Sequence, residues 1–211
     1  MTRRSSTSVV ANWRSSIRHL KAVDPHLGRI IDACGNINLE IQRHRSPFEY
    51  LLRSIIFQQL SGKAAGTIHG RFLALFPMKR PTPQRVLRLQ PQKFRNAGVS
   101  GNKERAIRDL AHHARDGLVP GFTALTRMSD EEIIETLTAI HGIGRWTVEM
   151  LLIFQLGRPD VLPVDDLGVR KGFARMRGKK KLPTPKQLTR AAKKWQPYRS
   201  IGSWYCWRAT E

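Results

Sequence analysis

Leu137-Thr138-Ala139-Ile140-His141-Gly142-Ile143-Gly144-Arg145-Trp146-Thr147 is the stretch on which the reading of this chain turns, and Pro163-Val164-Asp165-Asp166-Leu167-Gly168-Val169 follows it closely. Glycines on both sides of Ile143 permit a tight turn between helices. Its backbone amides then point outward at the positive end of the next helix, where a phosphate can sit without any side chain. Taken alone, the tripeptide fits an ordinary helix connection equally well. The aspartates also carry two readings. One caps the helix that begins near Leu167, a common use of the residue. The other places a carboxylate beside a bound nucleotide, where it stabilises positive charge developing on deoxyribose and orients or deprotonates water. The two readings can divide the pair, with Asp165 capping and Asp166 catalysing.

Working outward, a chain of 211 residues can bury a sizeable core in one domain or two small lobes without covalent staples. Its 37 Lys and Arg against 16 Asp and Glu give a formal charge of +21, which favours a polyanionic partner, nucleic acid first. Charge alone also fits a generally basic soluble protein or an anionic membrane surface, and it does not separate DNA from RNA. Cys34 and Cys206 are too few for a thiolate cluster or a disulfide framework. Reduced thiols are expected. No signal peptide and no membrane-spanning run is seen, so the expected location is the cytoplasm, associated with the nucleoid, in a prokaryote, or the nucleus in a eukaryote.

Residues 1–14 are polar and basic and read as a flexible arm. Apolar spacing from Ile17 to Ile41 predicts one or two helices stopping at Gly35. Ser46-Pro47-Phe48-Glu49 is a strong start signal for a helix to about Leu60, and Ser61 opens another ending at Phe76. Further helices are predicted at 83–89, 91–97, 103–116 and 129–138. After the hairpin come an apolar helix over 146–156, one ending near Met176, one over 184–192 and an aromatic one over 195–207, with Trp195 and Trp204 in the core. No period-2 alternation appears, so the fold is expected to be all-α.

Together these residues resemble the helix-hairpin-helix DNA glycosylase superfamily, and within it the 3-methyladenine DNA glycosylase II branch, which removes alkylated bases. Four segments carry the resemblance: Ile55 to Ser61, Gly98 to Lys103, the hairpin with its aspartates, and Trp195 to Ser200. It implies two helical lobes with an interlobe active-site cleft and no iron–sulfur cluster. The central lobe would cover about 47–157, the second 15–46 with 158–211, and the hairpin 137–150. Matching Leu162-Pro163-Val164-Asp165-Asp166-Leu167 to the family pattern makes Asp166 the catalyst and Asp165 an adjacent structural acid. Bifunctional relatives carry a Schiff-base lysine where this chain has Trp146, which implies a monofunctional glycosylase. The extra β-rich domain of longer bacterial members has no counterpart, and Met150 stands where some carry a pocket tyrosine.

The resemblance also assigns Trp146, Trp207 and Phe57 to a base pocket, where aromatic faces attract a cationic alkylpurine with about 0.5–2 kcal/mol each; the tryptophans are otherwise core fillers. Gln59, Leu60 and Ser61 match the turn that wedges into DNA, although Leu60 equally suits a core. Gly101, Lys103, Gly142, Ile143, Gly144, Arg145, Thr147 and Arg170 are candidate backbone contacts. Main-chain carbonyls of Thr138, Ile140 and Ile143 can hold a structural sodium or potassium ion, and no other cofactor is expected. The implied partner of a monomer is duplex DNA with damaged bases. Alternatives are the same fold acting on oxidised or mismatched bases with lyase activity, and a noncatalytic DNA-structure binder.

Overall fold

The computed structural model describes the backbone of residues 6–211 and the side chains from Trp13 onward, and among these residues the chain is helical without a strand. Its contacts separate into two units, Ile41–Leu156 and the segment to Glu40 together with Gly157–Glu211. Each is described by itself. The expected flexible arm is corrected in part: residues 1–5 lie outside the described residues, but α1 runs Ser6–Val23. Val9, Val10, Trp13, Ile17 and Leu20 continue the helical spacing that explains this early start.

Within Ile41–Leu156, α3 (Pro47–Phe57) begins in a full capping box, the Ser46 hydroxyl accepting from the Glu49 amide and the Glu49 carboxylate from the Ser46 amide. Leu51, Leu52, Ile55 and Ile56 of this helix are buried. Next come α4 (Gly62–Leu73), α5 (Pro83–Leu87), α6 (Pro91–Ala97) and α7 (Gly101–Arg115), whose Ala106, Ile107, Leu110 and Ala111 are buried. α7 packs on α3 and α5. A four-residue α8 (Phe122–Leu125), too short to show periodicity, precedes α9 (Asp130–Thr138), which starts in a second capping box from Ser129 and Glu132. The hairpin joins α9 to α10 (Arg145–Leu151). The helix expected to reach residue 156 widens after α10 into a π-helical turn, Leu152–Leu156. Residues 41–46, expected in the other lobe, belong here because the Gln42 amide donates to Phe154 O and Gln155 Nε2 to Arg45 O.

The other unit holds α1, α2 (Pro25–Cys34), α11 (Leu167–Arg175), α12 (Pro185–Ala192) and α13 (Arg199–Arg208). Leu20, Leu27, Val169, Leu188, Trp195 and Tyr205 form its core. Trp195 lies in a short 3-10 turn, so the last helix starts at Arg199, and Trp204 packs against the core, only partly buried. Cys34 and Cys206 are free thiols, the second buried.

Asp24 is fully buried, caps α2, accepts from Trp195 Nε1 at 2.9 Å and is paired with Arg177. Burial by itself raises this carboxyl, but the Trp195 bond and the Arg177 charge outweigh it and hold it below its ordinary value. An acid lowered on folding stabilises above its unfolded value of about 3.9, and that contribution is lost as pH falls through the folded value. Urea midpoints should therefore decline below about pH 4, and Asp24→Asn should flatten the decline. An equally steep decline in the variant would assign the acid sensitivity to other groups.

Candidate active site

The hairpin is fixed from three sides. Gly142 sits at φ +81°, and a Cβ there would stand 2.6 Å from Ala106 Cβ, so both backbone and packing demand glycine. Its carbonyl accepts from Gln58 Nε2 at 2.9 Å, while the neighbouring His141 amide donates to Asp109 Oδ2 at 2.7 Å. Ile143 is buried as the anchor of the turn, and its amide donates to Ile140 O. Gly144 caps α10 through its backbone only.

Asp166, not Asp165, is the cap of α11: its Oδ1 accepts from the Val169 amide at 2.8 Å. The same oxygen accepts from Trp207 Nε1 at 2.8 Å. Capping and the role assigned to the catalyst thus fall on one residue, which corrects the division of the pair. Gly168 makes the arrangement possible, since a Cβ there would come within 2.7 Å of Trp207 Cδ1 and 3.1 Å of Asp166 Oδ1. Trp207, expected in the base pocket, donates its indole N–H to this carboxylate.

A cavity of about 660 Å³ lies within Ile41–Leu156, lined among others by Tyr50, Arg53, Phe57, Trp146, Met150 and Phe154. Trp146 is 44% exposed, so it is no core filler. Phe57 has one face occupied by Arg53, whose guanidinium carbon stands 3.7 Å from the ring centroid. Tyr50 donates to Met150 O at 3.0 Å, and burial pushes its hydroxyl up to about 12. The π-helical turn carries Phe154 onto the cavity wall.

The turn after α3 presents Gln59 in the left-handed region, at φ +57°, and Leu60 at 40% exposure, which removes the core alternative for Leu60. The Ser61 hydroxyl caps α4, and Gly101 is exposed at the first turn of α7. Three expected phosphate contacts have partners within the protein, and a fourth is buried. Lys103 Nζ donates to Ile56 O and Gln58 O, both at 2.8 Å, closing the end of α3. Arg145 grips Glu131 in two bonds and reaches Glu149, so its charge is balanced within the protein. Thr147 is buried, and Arg170 Nε donates to Pro183 O at 2.9 Å. Sequence supplies the charge of these side chains but not the partner that neutralises or satisfies it. Gln58 and Gly168 lie inside the stretches singled out in the sequence but carry no signal of these roles there, and Arg53 and Asp109 lie outside them.

Residues 52–197 match the HhH-GPD family, that of the HhH-GPD superfamily base excision DNA repair protein. The chain is 36% identical over 206 residues to DNA-3-methyladenine glycosylase 1 of Schizosaccharomyces pombe, spanning 96% of this chain and 90% of that protein. The solved structure of the S. pombe 3-methyladenine DNA glycosylase Mag1 in complex with abasic DNA matches with a TM-score of 0.84 at 36% identity, covering 92% of this chain and 95% of that one. A DNA-3-methyladenine glycosidase from Bacillus halodurans matches with a TM-score of 0.82 at 36% identity, over 92% of this chain and 88% of that one.

Proposed function

This chain belongs to the HhH-GPD superfamily of base excision DNA repair proteins, and we propose that it is a monofunctional glycosylase hydrolysing the N-glycosidic bond of alkylated purines in duplex DNA. Relatives named as 3-methyladenine glycosylases over nearly the whole chain support the substrate class. The observation that carries the reading is the Asp166 carboxylate, fixed by a backbone amide and by the Trp207 indole. A carboxylate so oriented stabilises an oxocarbenium-like sugar as the base departs and guides the attacking water. N3- and N7-alkylpurines already carry the charge that makes them good leaving groups, so one carboxylate is sufficient.

The aromatic cavity receives the flipped base, with Trp146 as its exposed ring. Leu60 is the wedge, and the backbone of Gly142, Ile143 and Gly144 takes a phosphate, joined by Ser61 and Gly101. Thr138, Ile140 and Ile143 suit a monovalent cation through uncharged main-chain oxygens. Ile140 O already accepts from the Ile143 amide and keeps a second lone pair for an ion.

Incubation with methylated duplex DNA, followed by chromatography and borohydride trapping, tests the proposal. Methylpurines should appear, abasic sites should remain unbroken and no covalent adduct should form. A protein that releases nothing is a binder, and a trapped adduct makes it a lyase.

A further inference from the structure

Beyond the last turn of α11, in the unit that carries Asp166, the chain runs Arg177-Gly178-Lys179-Lys180-Lys181. Gly178 stops the helix at φ +63°, and the Lys179 amide closes its end by donating to Ala174 O. A cleft of about 400 Å³ opens between this loop and α12. Phe173, Arg177, Lys179, Lys181, Thr184 and Gln187 stand in its wall, and no acid is among its lining residues. An adjoining hollow shares Lys179 and adds Lys171, Arg175 and Lys180, again without an acid. Six cations thus flank one short loop, more than the half charge at a helix C-terminus balances. Among the described residues, only Arg177 of the six pairs with a carboxylate.

Arg177 is the fixed member of the group. Its side chain is 11% exposed, its guanidinium carbon stands 3.7 Å from the Phe173 ring centroid, and its Nη2 pairs with Asp24. Lys194 also reaches Asp24, at 3.4 Å, so one carboxylate serves two cations. Stacking occupies the face of the guanidinium and leaves its edge for acceptors, yet the buried Nη1 has none among the described residues. The α12 N-terminus is no rival for this role, because Thr184 and Gln187 close it in a reciprocal capping box. Recognition in the cleft therefore falls to side chains.

We propose that this cleft binds a phosphate group, with Arg177 offering its Nη1 edge and Lys179 and Lys181 supplying the neutralising charge. Three cations around one opening suit a tetrahedral oxyanion with several charged oxygens better than a carboxylate with a single charge. The nine-residue α11 puts about 13 Å of helix between this site and Asp166. The site is therefore distinct from the carboxylate assigned to base release, and it does not depend on the glycosylase reading. A backbone phosphate of duplex DNA and a free phosphate share the chemistry. The first gives the unit carrying Asp166 its own hold on DNA, and the second gives the protein a small-molecule ligand.

Three full-length proteins are compared: the unaltered chain, a cleft pair (Lys179→Met with Lys181→Met), and a control pair (Lys186→Met with Lys193→Met) that loses as much charge outside the cleft. Melting is followed in inorganic pyrophosphate and in acetate at matched ionic strength. Pyrophosphate at tenfold its dissociation constant should raise Tm by about 3–6 °C in the unaltered protein and the control pair, and leave the cleft pair unmoved. Binding of an undamaged duplex over a range of salt then separates the sources. A slope of log Kd against log salt shallower by about one in the cleft pair than in the control pair assigns the cleft to a backbone phosphate. Equal slopes beside the pyrophosphate difference assign it to a free phosphate. Cleft and control pairs that agree in both measurements overturn the site, and acetate matching pyrophosphate overturns the choice of phosphate. Should the cleft pair not fold, lysine acetylation of the unaltered protein decides. Pyrophosphate or duplex should shield Lys179 and Lys181 but not Lys186 and Lys193, and uniform labelling overturns the site.

Discussion

Asp166→Asn is expected to slow release of methylpurines by about 1,000-fold or more, while duplex affinity and stability stay near those of the unaltered protein. Asparagine keeps an oxygen where Oδ1 accepts from the Val169 amide and from Trp207 Nε1. It is also as good a helix cap as aspartate, so α11 loses little. On the proposed function, what disappears is the negative charge that stabilises a cationic sugar. Alanine at this position would be harder to interpret, because it also removes the cap, worth about 1 kcal/mol, and strands the indole N–H. Single-turnover release on methylated DNA, read beside fluorescence anisotropy and a melting curve, separates the effects. An unchanged release rate would sink the assignment of Asp166.

Gly172→Ala should bring the largest loss of stability, about 3 kcal/mol or more, because the added methyl has no room to turn away. Its Cβ would lie 1.8 Å from Cys206 O, 2.5 Å from the carbonyl carbon and 2.8 Å from Cα. All three are backbone atoms, so α11 and α13 must separate. Asp166 begins one of these helices and Trp207 lies on the other, so their hydrogen bond is disturbed with the packing and base release falls as well. Urea unfolding measures the first effect. A loss below about 1 kcal/mol would mean that the two helices are not in this close contact.

The starts of α3 and α9 were legible because their capping boxes are made by residues three apart, Ser46 with Glu49 and Ser129 with Glu132. Placement of residues 41–46 was not, since it depends on bonds from Gln42 and Arg45 to Phe154 and Gln155, more than a hundred positions away. The site divides the same way. Asp166 and Trp146 could be picked out by motif, but which aspartate caps could not: both precede the same helix, and the tertiary partner Trp207 settles the geometry. Lys103 and Arg145 were read by charge, whereas their roles come from carbonyls and carboxylates brought in by folding. Arg53 was overlooked because nothing local marks an arginine on an apolar helix as facing a cavity.

α7 touches both turns assigned to DNA. Lys103 ties its first turn to the end of α3, Ala106 lies beneath Gly142, and Asp109 holds the His141 amide. The helix is a caliper with set jaws: the span from wedge to hairpin is built into one rigid rod. On the proposed function, the protein cannot stretch to suit a stiff duplex, so the duplex must bend to the gauge. Steps that deform at low cost, a damaged or mispaired one above all, would be sampled more often than their sequence predicts.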